Sequence, residues 1–198
     1  MVKIILLNGQ NKRTAGLRNF AKSVCTDLKK MFGEEPKVVK IVICKNARFM
    51  EDQLDRKLRS WEVAVTKQNT IFILDVAVMQ KRHPKVQNFK TILHHELVHV
   101  FYNHLIPEGV PYWLNEGLAY NLAKQEFPLF RNSSIAKRAL RYYSNYDQRI
   151  YRYGPALTRL LIKNNTLDVV MRALRTFATK SHRPAEFDKI FQPLVSKI

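Results

Sequence analysis

The stretch FKTILHHELVHVFYNHLIPEGVPYWLNEGLAYNLAK begins at Phe89 and ends at Lys124. Pro84 stands where a helix can begin, and the apolar stripe of Phe89, Leu93, Leu97 and Val100 predicts a packed helix that continues up to Pro107. A second helix is predicted from Tyr112 to about Lys124. Pro107 and Pro111 bracket the short segment between them, so we expect a tight reversal that lays one helix against the other.

The first of these helices contains His95-Glu96-Leu97-Val98-His99, an HExxH motif. Histidines four residues apart lie one turn above each other, so both imidazoles can bind one metal ion. Glu96 lies about 100° further round the helix and can reach a water molecule at that ion without being a ligand. The alternative is a structural, histidine-rich helix, because four of the six histidines fall in it: His94, His95, His99 and His104.

The second helix contains Tyr112-Trp113-Leu114-Asn115-Glu116-Gly117-Leu118-Ala119 and offers a third ligand. Catalytic zinc sites use three protein ligands and leave one position open for water or substrate. Glu116 can supply a carboxylate after the reversal, beside the two histidines. Two neutral imidazoles and one carboxylate would leave a divalent ion with a net charge of about +1, so the ion would remain a strong Lewis acid.

The two motifs together resemble the gluzincin metallopeptidases, also called the peptidase MA-like group. The resemblance covers roughly Phe89 to Lys124, and the small size of the chain is similar to that of the minigluzincins. It implies one zinc ion held by His95, His99 and Glu116, with Glu96 as the general base. The implied activity is hydrolysis of peptide bonds in a peptide or protein substrate by a metal-activated water.

A further segment, Tyr151-Arg152-Tyr153-Gly154-Pro155-Ala156-Leu157, is similar to the Tyr-x-Lys-Gly-x-Ala-Leu segment of the aminopeptidase branch. In that branch the first tyrosine donates a hydrogen bond to the tetrahedral intermediate, which implies a catalytic role for Tyr151. The alternative is a half-buried aromatic residue at the start of a helix. Tyr153 and Tyr146 are the other candidates for the donor.

Two departures from that branch shape the expectation. The chain has no Gly-x-Met-Glu-Asn segment, which in aminopeptidases binds the free α-amine, and the stretch from Thr70 to Val78 at the corresponding place has Asp75 as its one acid. We therefore expect an endopeptidase, with the strand Thr70–Leu74 beside the site pairing with an extended substrate. Many relatives also carry an acid where this chain has Tyr120, so the partner that orients a ligand histidine is not assigned.

The remaining pattern predicts an α+β fold, with a small N-terminal β-sheet and helices, the HExxH helix, and then a mostly helical C-terminal half. We expect an α/β catalytic portion over residues 1–126 and a helical subdomain over 127–198, packed as one unit. Outside the two motif helices, the predicted strands are Lys3–Leu7, Val38–Cys44 and Thr70–Leu74, with a continuation of the last to Val78 as the alternative. The predicted helices are Leu17–Phe32, which Gly33 ends, and a short one near Asp52–Leu58.

The formal net charge of +18 predicts attraction to polyanions. An alternative function is therefore a basic nucleic-acid-associated protein whose zinc site is structural or vestigial. The chain has no apolar run long enough to span a membrane and no signal-peptide pattern at its start, so we expect a cytoplasmic protein. Cys25 and Cys44 lie in apolar segments and are predicted to be buried thiols.

Overall fold

The structure, a computed structural model, describes residues 2–8, 16–83, 88–108, 110–127, 149–181 and 183–197, without the side chains of residues 149, 150 and 152. It is an α+β fold with a small mixed sheet and a helical C-terminal half, as the sequence predicts. The strands are β1 (Lys3–Leu7), β2 (Val38–Cys44), β3 (Ala64–Lys67) and β4 (Thr70–Leu74). The helices in the described ranges are α1 (Leu17–Phe32), α2 (Ala47–Leu54), α3 (Val76–Arg82), α4 (Phe89–Leu105), α5 (Tyr112–Leu122), α6 (Arg149–Asn165), α7 (Leu167–Ala178) and α8 (Pro184–Val195).

The four strands are ordered β1-β2-β4-β3. Strands β1, β2 and β4 are parallel to their neighbours, and β3 runs antiparallel to β4. Ile41, Val42, Ile43 and Cys44 are consecutive buried residues of β2, because helices cover both faces of the sheet. The strand β4 is therefore a central strand, and β3 is the edge that adjoins α4.

Three local expectations were wrong. We expected an extended substrate to pair with β4 beside the site. This is wrong, because β2 pairs with one side of β4 and β3 with the other, so β4 has no free edge. The short helix lies at Ala47–Leu54, because Asn46 caps it by accepting a hydrogen bond from the backbone nitrogen of Phe49. The strand does not continue to Val78, since the side chain of Asp75 caps a new helix there.

The HExxH helix α4 begins where Asn88 accepts a hydrogen bond from the backbone nitrogen of Lys90. It packs against α1, α5, β3 and β4, so it is buried on most sides. The hydroxyl of Tyr102 donates to the carbonyl oxygen of Val110 at 3.1 Å, and the Val110–Pro111 peptide bond is cis. This turn reverses the chain and lays α5 along α4, which brings the two motifs together.

The second motif helix, α5, is buried from Trp113 to Ala119, because α4 lies on one side and α6 on the other. A methyl group on Gly117 would lie 1.9 Å from Oγ1 of Thr158, and one on Gly154 would lie 2.5 Å from the carbonyl oxygen of Trp113. Both glycines are therefore required for α5 and α6 to approach this closely. The described residues after Arg149 are mostly helical. The C-terminal helix α8 reaches α5 through Phe187, whose ring packs edge-on against that of Trp113 with 6.0 Å between the ring centroids.

The two cysteines are free and buried, which confirms the expectation from the sequence. Burial raises the pKa of the Cys25 thiol to about 12 and that of the Cys44 thiol to about 11. None of the helices in the described ranges combines the length and the apolar character that crossing a bilayer requires.

Candidate metal centre

The ring nitrogens of His95 and His99 converge with the carboxylate of Glu116, as the sequence predicts. Nε2 of His95 lies 3.0 Å from Nε2 of His99 and 3.6 Å from Oε2 of Glu116. Nε2 of His99 lies 3.6 Å from Oε1 of Glu116. Ligand atoms in a tetrahedral zinc site are about 3.3–3.4 Å apart, given metal–ligand bonds of about 2.0–2.1 Å. The three side chains therefore surround a space of the right size for such an ion.

The outer nitrogen of each histidine is held by an amide oxygen. Nδ1 of His95 lies 2.7 Å from Oε1 of Gln125, and Nδ1 of His99 lies 2.8 Å from Oδ1 of Asn115. The amide nitrogen of Asn115 donates in turn to Oδ1 of Asn103 at 3.0 Å, which fixes which end of the Asn115 amide faces His99. An amide oxygen only accepts, so these two contacts favour the tautomer with the proton on Nδ1, which leaves Nε2 of each histidine to bind a metal ion.

The residues fit a bound cation on two grounds. The Nε2 atoms of the two imidazoles face each other at 3.0 Å, close enough for one metal ion to bind both. Oε2 of Glu116 is buried and has no hydrogen-bond partner, although buried carboxylate oxygens are normally satisfied. Both His95 and Glu116 are buried, and His99 is partly exposed. A divalent metal ion would satisfy all three groups at once.

The protonation of the site follows from its burial. Burial lowers the pKa of His95 and of His99, which favours the neutral imidazoles that can bind a metal ion. Burial also raises the pKa of Glu116, and the nearby His99 opposes this effect. For Glu96, burial raises the pKa, while His95 and the hydrogen bond from Thr66 act in the opposite direction.

Glu96 is held from the edge strand. The hydroxyl of Thr66 on β3 lies 2.6 Å from Oε2 of Glu96 and 3.2 Å from its backbone carbonyl oxygen. Glu96 is a buried residue that lines the same cleft as the three candidate ligands. Its carboxylate is therefore fixed beside the candidate metal position by a residue that does not belong to either motif.

A cleft of about 530 Å³ opens above these residues. One wall is formed by Val63 and by Ala64, Val65 and Thr66 of the edge strand β3, and Trp61 at the rim is 39% exposed. Other lining residues come from α4, α5, α6 and the loop after α4, and include Ile92, Asn103, Glu108, Tyr112, Tyr120 and Tyr151. The cleft is large enough to accept several residues of an extended peptide.

Tyr151 lines the cleft, and its ring packs edge-on against Trp61 with 5.0 Å between the ring centroids. Tyr153 does not line it, and Tyr146 lies outside the described residues. Tyr120 lines the cleft as well, with its ring edge-on to His95 at 4.9 Å. Burial, followed by the charges of Glu116 and Glu96, raises the pKa of Tyr120 to about 12, so its phenol keeps its proton.

Three residues of the site were not found from the sequence: Thr66, Gln125 and Asn103. The run Val63–Thr66 is rich in β-branched residues and could have predicted a strand, although four residues are few for such a signal. Gln125 and Asn103 carry no motif. Asn103 lies one turn after His99 on α4, which is the only sequence feature that relates it to the site.

Comparisons of the chain with models of protein families, with curated proteins and with solved structures found no match.

Proposed function

We propose that the protein is a zinc-dependent peptidase that hydrolyses peptide bonds with Glu96 as the general base. One observation carries this proposal: His95, His99 and Glu116 converge on one position, and a second buried acid, Glu96, is held beside it without joining the group. A structural zinc site usually has four protein ligands and no need of a base, whereas a catalytic site has three ligands and an open side.

The chain would perform the reaction as follows. When bound, a divalent cation such as zinc supplies Lewis acidity, which polarises a peptide carbonyl and acidifies a coordinated water molecule. The Glu96 carboxylate accepts a proton from the attacking water as the water oxygen bonds to the carbonyl carbon. Glu96 then passes this proton to the amide nitrogen, the carbon–nitrogen bond breaks, and an amine and a carboxylic acid leave. A phenol in the cleft, Tyr151 by the sequence resemblance, donates to the developing oxyanion.

The edge strand β3 is suited to hold the substrate. Within the described residues β3 pairs with β4 alone, and its residues Ala64, Val65 and Thr66 line the cleft. Its backbone can therefore pair with an extended peptide, whose main chain would lie across the ligand group. The same strand carries Thr66, so the peptide and the base would be positioned by one element.

We infer an endopeptidase, because the chain lacks the amine-binding segment of the aminopeptidase branch and because Glu62, the acid of the cleft just before β3, is occupied. Glu62 lies next to β3 and lines the cleft, but both of its oxygens accept hydrogen bonds from Arg56, at 2.8 and 2.9 Å. It also accepts from the backbone nitrogen of Arg59 at 2.7 Å, so it is already neutralised and is not free to bind a substrate's α-amine. Acetylating the N-terminus of a good peptide substrate should leave kcat/KM nearly unchanged, and a large drop would indicate an aminopeptidase.

The test of the main proposal compares metal content and activity in the same preparations. Wild-type protein should bind one zinc ion per chain and cleave members of a random peptide library, and removing zinc with a chelator should abolish cleavage. Glu96→Gln should keep the zinc and the fold but lose most turnover, because an amide cannot accept the proton from water. Glu116→Gln, which removes the ligand charge, should lose the zinc. Full activity of Glu96→Gln would exclude the proposed base.

A second candidate function is binding to nucleic acid, which the formal net charge of +18 favours. In this case the affinity for a labelled duplex should fall steeply as salt is raised, and Glu96→Gln should leave that affinity unchanged. Zinc bound without any peptide cleavage, together with such binding, would favour this candidate over the peptidase.

A further inference from the structure

The chain turns back on itself immediately after α5. Lys124 adopts a left-handed conformation with φ of 54°, and the backbone nitrogen of Gln125 donates to the carbonyl oxygen of Tyr120 at 2.9 Å. Such a turn closes the end of a helix and reverses the direction of the following residue. It carries the side chain of Gln125 back to α4, where Oε1 lies 2.7 Å from Nδ1 of His95.

The two candidate ligand histidines are supported differently. The partner of His99 is Asn115, which lies within α5 next to Glu116 and is itself held by Asn103 at 3.0 Å. The partner of His95 lies outside the helix, and its position depends on the turn at Lys124. Removing Gln125 would therefore leave the Nδ1 of His95 without this acceptor while the support of His99 remained intact.

We propose that Gln125 is the positioning residue that sets the tautomer and ring orientation of His95, and thereby the metal affinity of the site. This inference rests on the metal site of the proposed function. An imidazole whose proton is on Nε2 cannot bind a metal ion through that nitrogen, so an acceptor at Nδ1 preorganises the ligand. Residue 120, the position of an acid in many of the proteins that the sequence resembles, is a tyrosine and offers no carboxylate. Gln125 supplies the acceptor in its place.

The amide of Gln125 has a further consequence. It selects the tautomer without adding a negative charge, and the partner of His99 is also a neutral amide. A carboxylate at residue 125 would accept the same hydrogen bond and make the imidazole more basic, which strengthens the bond to a metal ion. Gln125→Glu should therefore restore or increase the affinity that an apolar substitution removes.

The first experiment measures the zinc dissociation constant by competition with a chromophoric chelator. Gln125→Met keeps the length of the side chain but lacks the amide oxygen, and it should bind zinc about 10- to 100-fold more weakly than wild type. Gln125→Glu should bind zinc at least as tightly as wild type. Gln192→Met is the matched control, since Gln192 is exposed on α8 and does not line the cleft. Wild-type affinity in Gln125→Met would overturn the inference.

The second experiment examines the metal-free protein and does not depend on activity. Nitrogen-15 NMR of the histidine rings should show His95 of the wild type with its proton on Nδ1, and a mixture of tautomers in Gln125→Met. An unchanged His95 tautomer in that variant would overturn the inference. If the wild type bound no zinc, the proposed function would fail, while the tautomer measurement would still decide the role of Gln125.

Discussion

The hydroxyl of Thr66 lies 2.6 Å from Oε2 of Glu96, a residue that is 30 positions later in the chain. This contact joins the edge strand β3 to the HExxH helix α4, and the same hydroxyl is 3.2 Å from the backbone carbonyl oxygen of Glu96. Oε2 is thereby committed to Thr66. The other carboxylate oxygen is left to exchange a proton with water in the cleft, which is the task proposed for Glu96.

Removing the hydrogen bond between Thr66 and Glu96 should lower the turnover rate more than it weakens the binding of substrate. Thr66→Val keeps the β-branched shape and the strand propensity but has no hydroxyl. A hydrogen bond to a charged group contributes about 1.5–3 kcal/mol, so kcat should fall roughly 10- to 100-fold. KM and zinc content should change little, because the ligands and the backbone of β3 remain. Steady-state kinetics can check this, with Thr66→Ser as the control that keeps the hydroxyl; wild-type kcat in Thr66→Val would contradict the role of Thr66.

The close crossing of α5 and α6 predicts a stability effect at Gly117. A methyl group there would lie 1.9 Å from Oγ1 of Thr158 and 2.6 Å from the carbonyl oxygen of Gly154, so the helices must separate. Gly117→Ala should lower the free energy of unfolding by about 1–3 kcal/mol, and it should weaken zinc binding because Glu116 is the adjacent residue. Denaturant unfolding and zinc titration can measure both effects. Gly16→Ala is the control, since a methyl group there has no atom within 4 Å and should cost less than about 0.5 kcal/mol.

The ligand group was predictable because its geometry is local. The spacing of His95 and His99 is set by the pitch of one helix, and Glu116 follows after a reversal that two prolines indicate. The convergence of the three side chains confirms this part of the prediction. The same holds for the long amphipathic helix α1 and for the β-branched strand β2, whose bounds match the predicted ones.

The supporting residues were not predictable because their contacts depend on tertiary packing. Thr66 belongs to a four-residue strand within a polar stretch, and its partner is 30 residues away. The order of the strands makes β3, and not β4, the edge that lines the cleft, and adjacency in a sheet leaves no mark on the periodicity of either strand. Gln125 reaches His95 through a left-handed turn at a lysine, where a glycine would have been the usual signal.

The loop before β3 should make stability depend on pH through Glu62. Burial acts to raise the pKa of Glu62, but hydrogen bonds from Arg56 and Arg59 outweigh it, so the pKa is lowered. A lowered pKa in the folded state means that this stabilisation is present above the unfolded pKa of about 4.3 and is lost as the pH falls through the folded value. Glu62→Gln should therefore be less stable than wild type at neutral pH, and the difference should shrink at low pH. Urea unfolding across this range tests the prediction; a difference that does not change with pH would contradict it.

The last prediction concerns which phenol of the cleft donates to the oxyanion. Tyr151→Phe keeps the ring, and with it the edge-on contact with Trp61, so stability should hardly change. A donor that acts mainly in the transition state affects kcat more than KM, and the loss of one such donor costs on the order of a hundredfold. Tyr120→Phe is the matched comparison, because its ring also lines the cleft and contacts His95. If kcat falls in Tyr120→Phe and not in Tyr151→Phe, the role belongs to Tyr120, and wild-type kcat in both variants would exclude either tyrosine as the oxyanion donor.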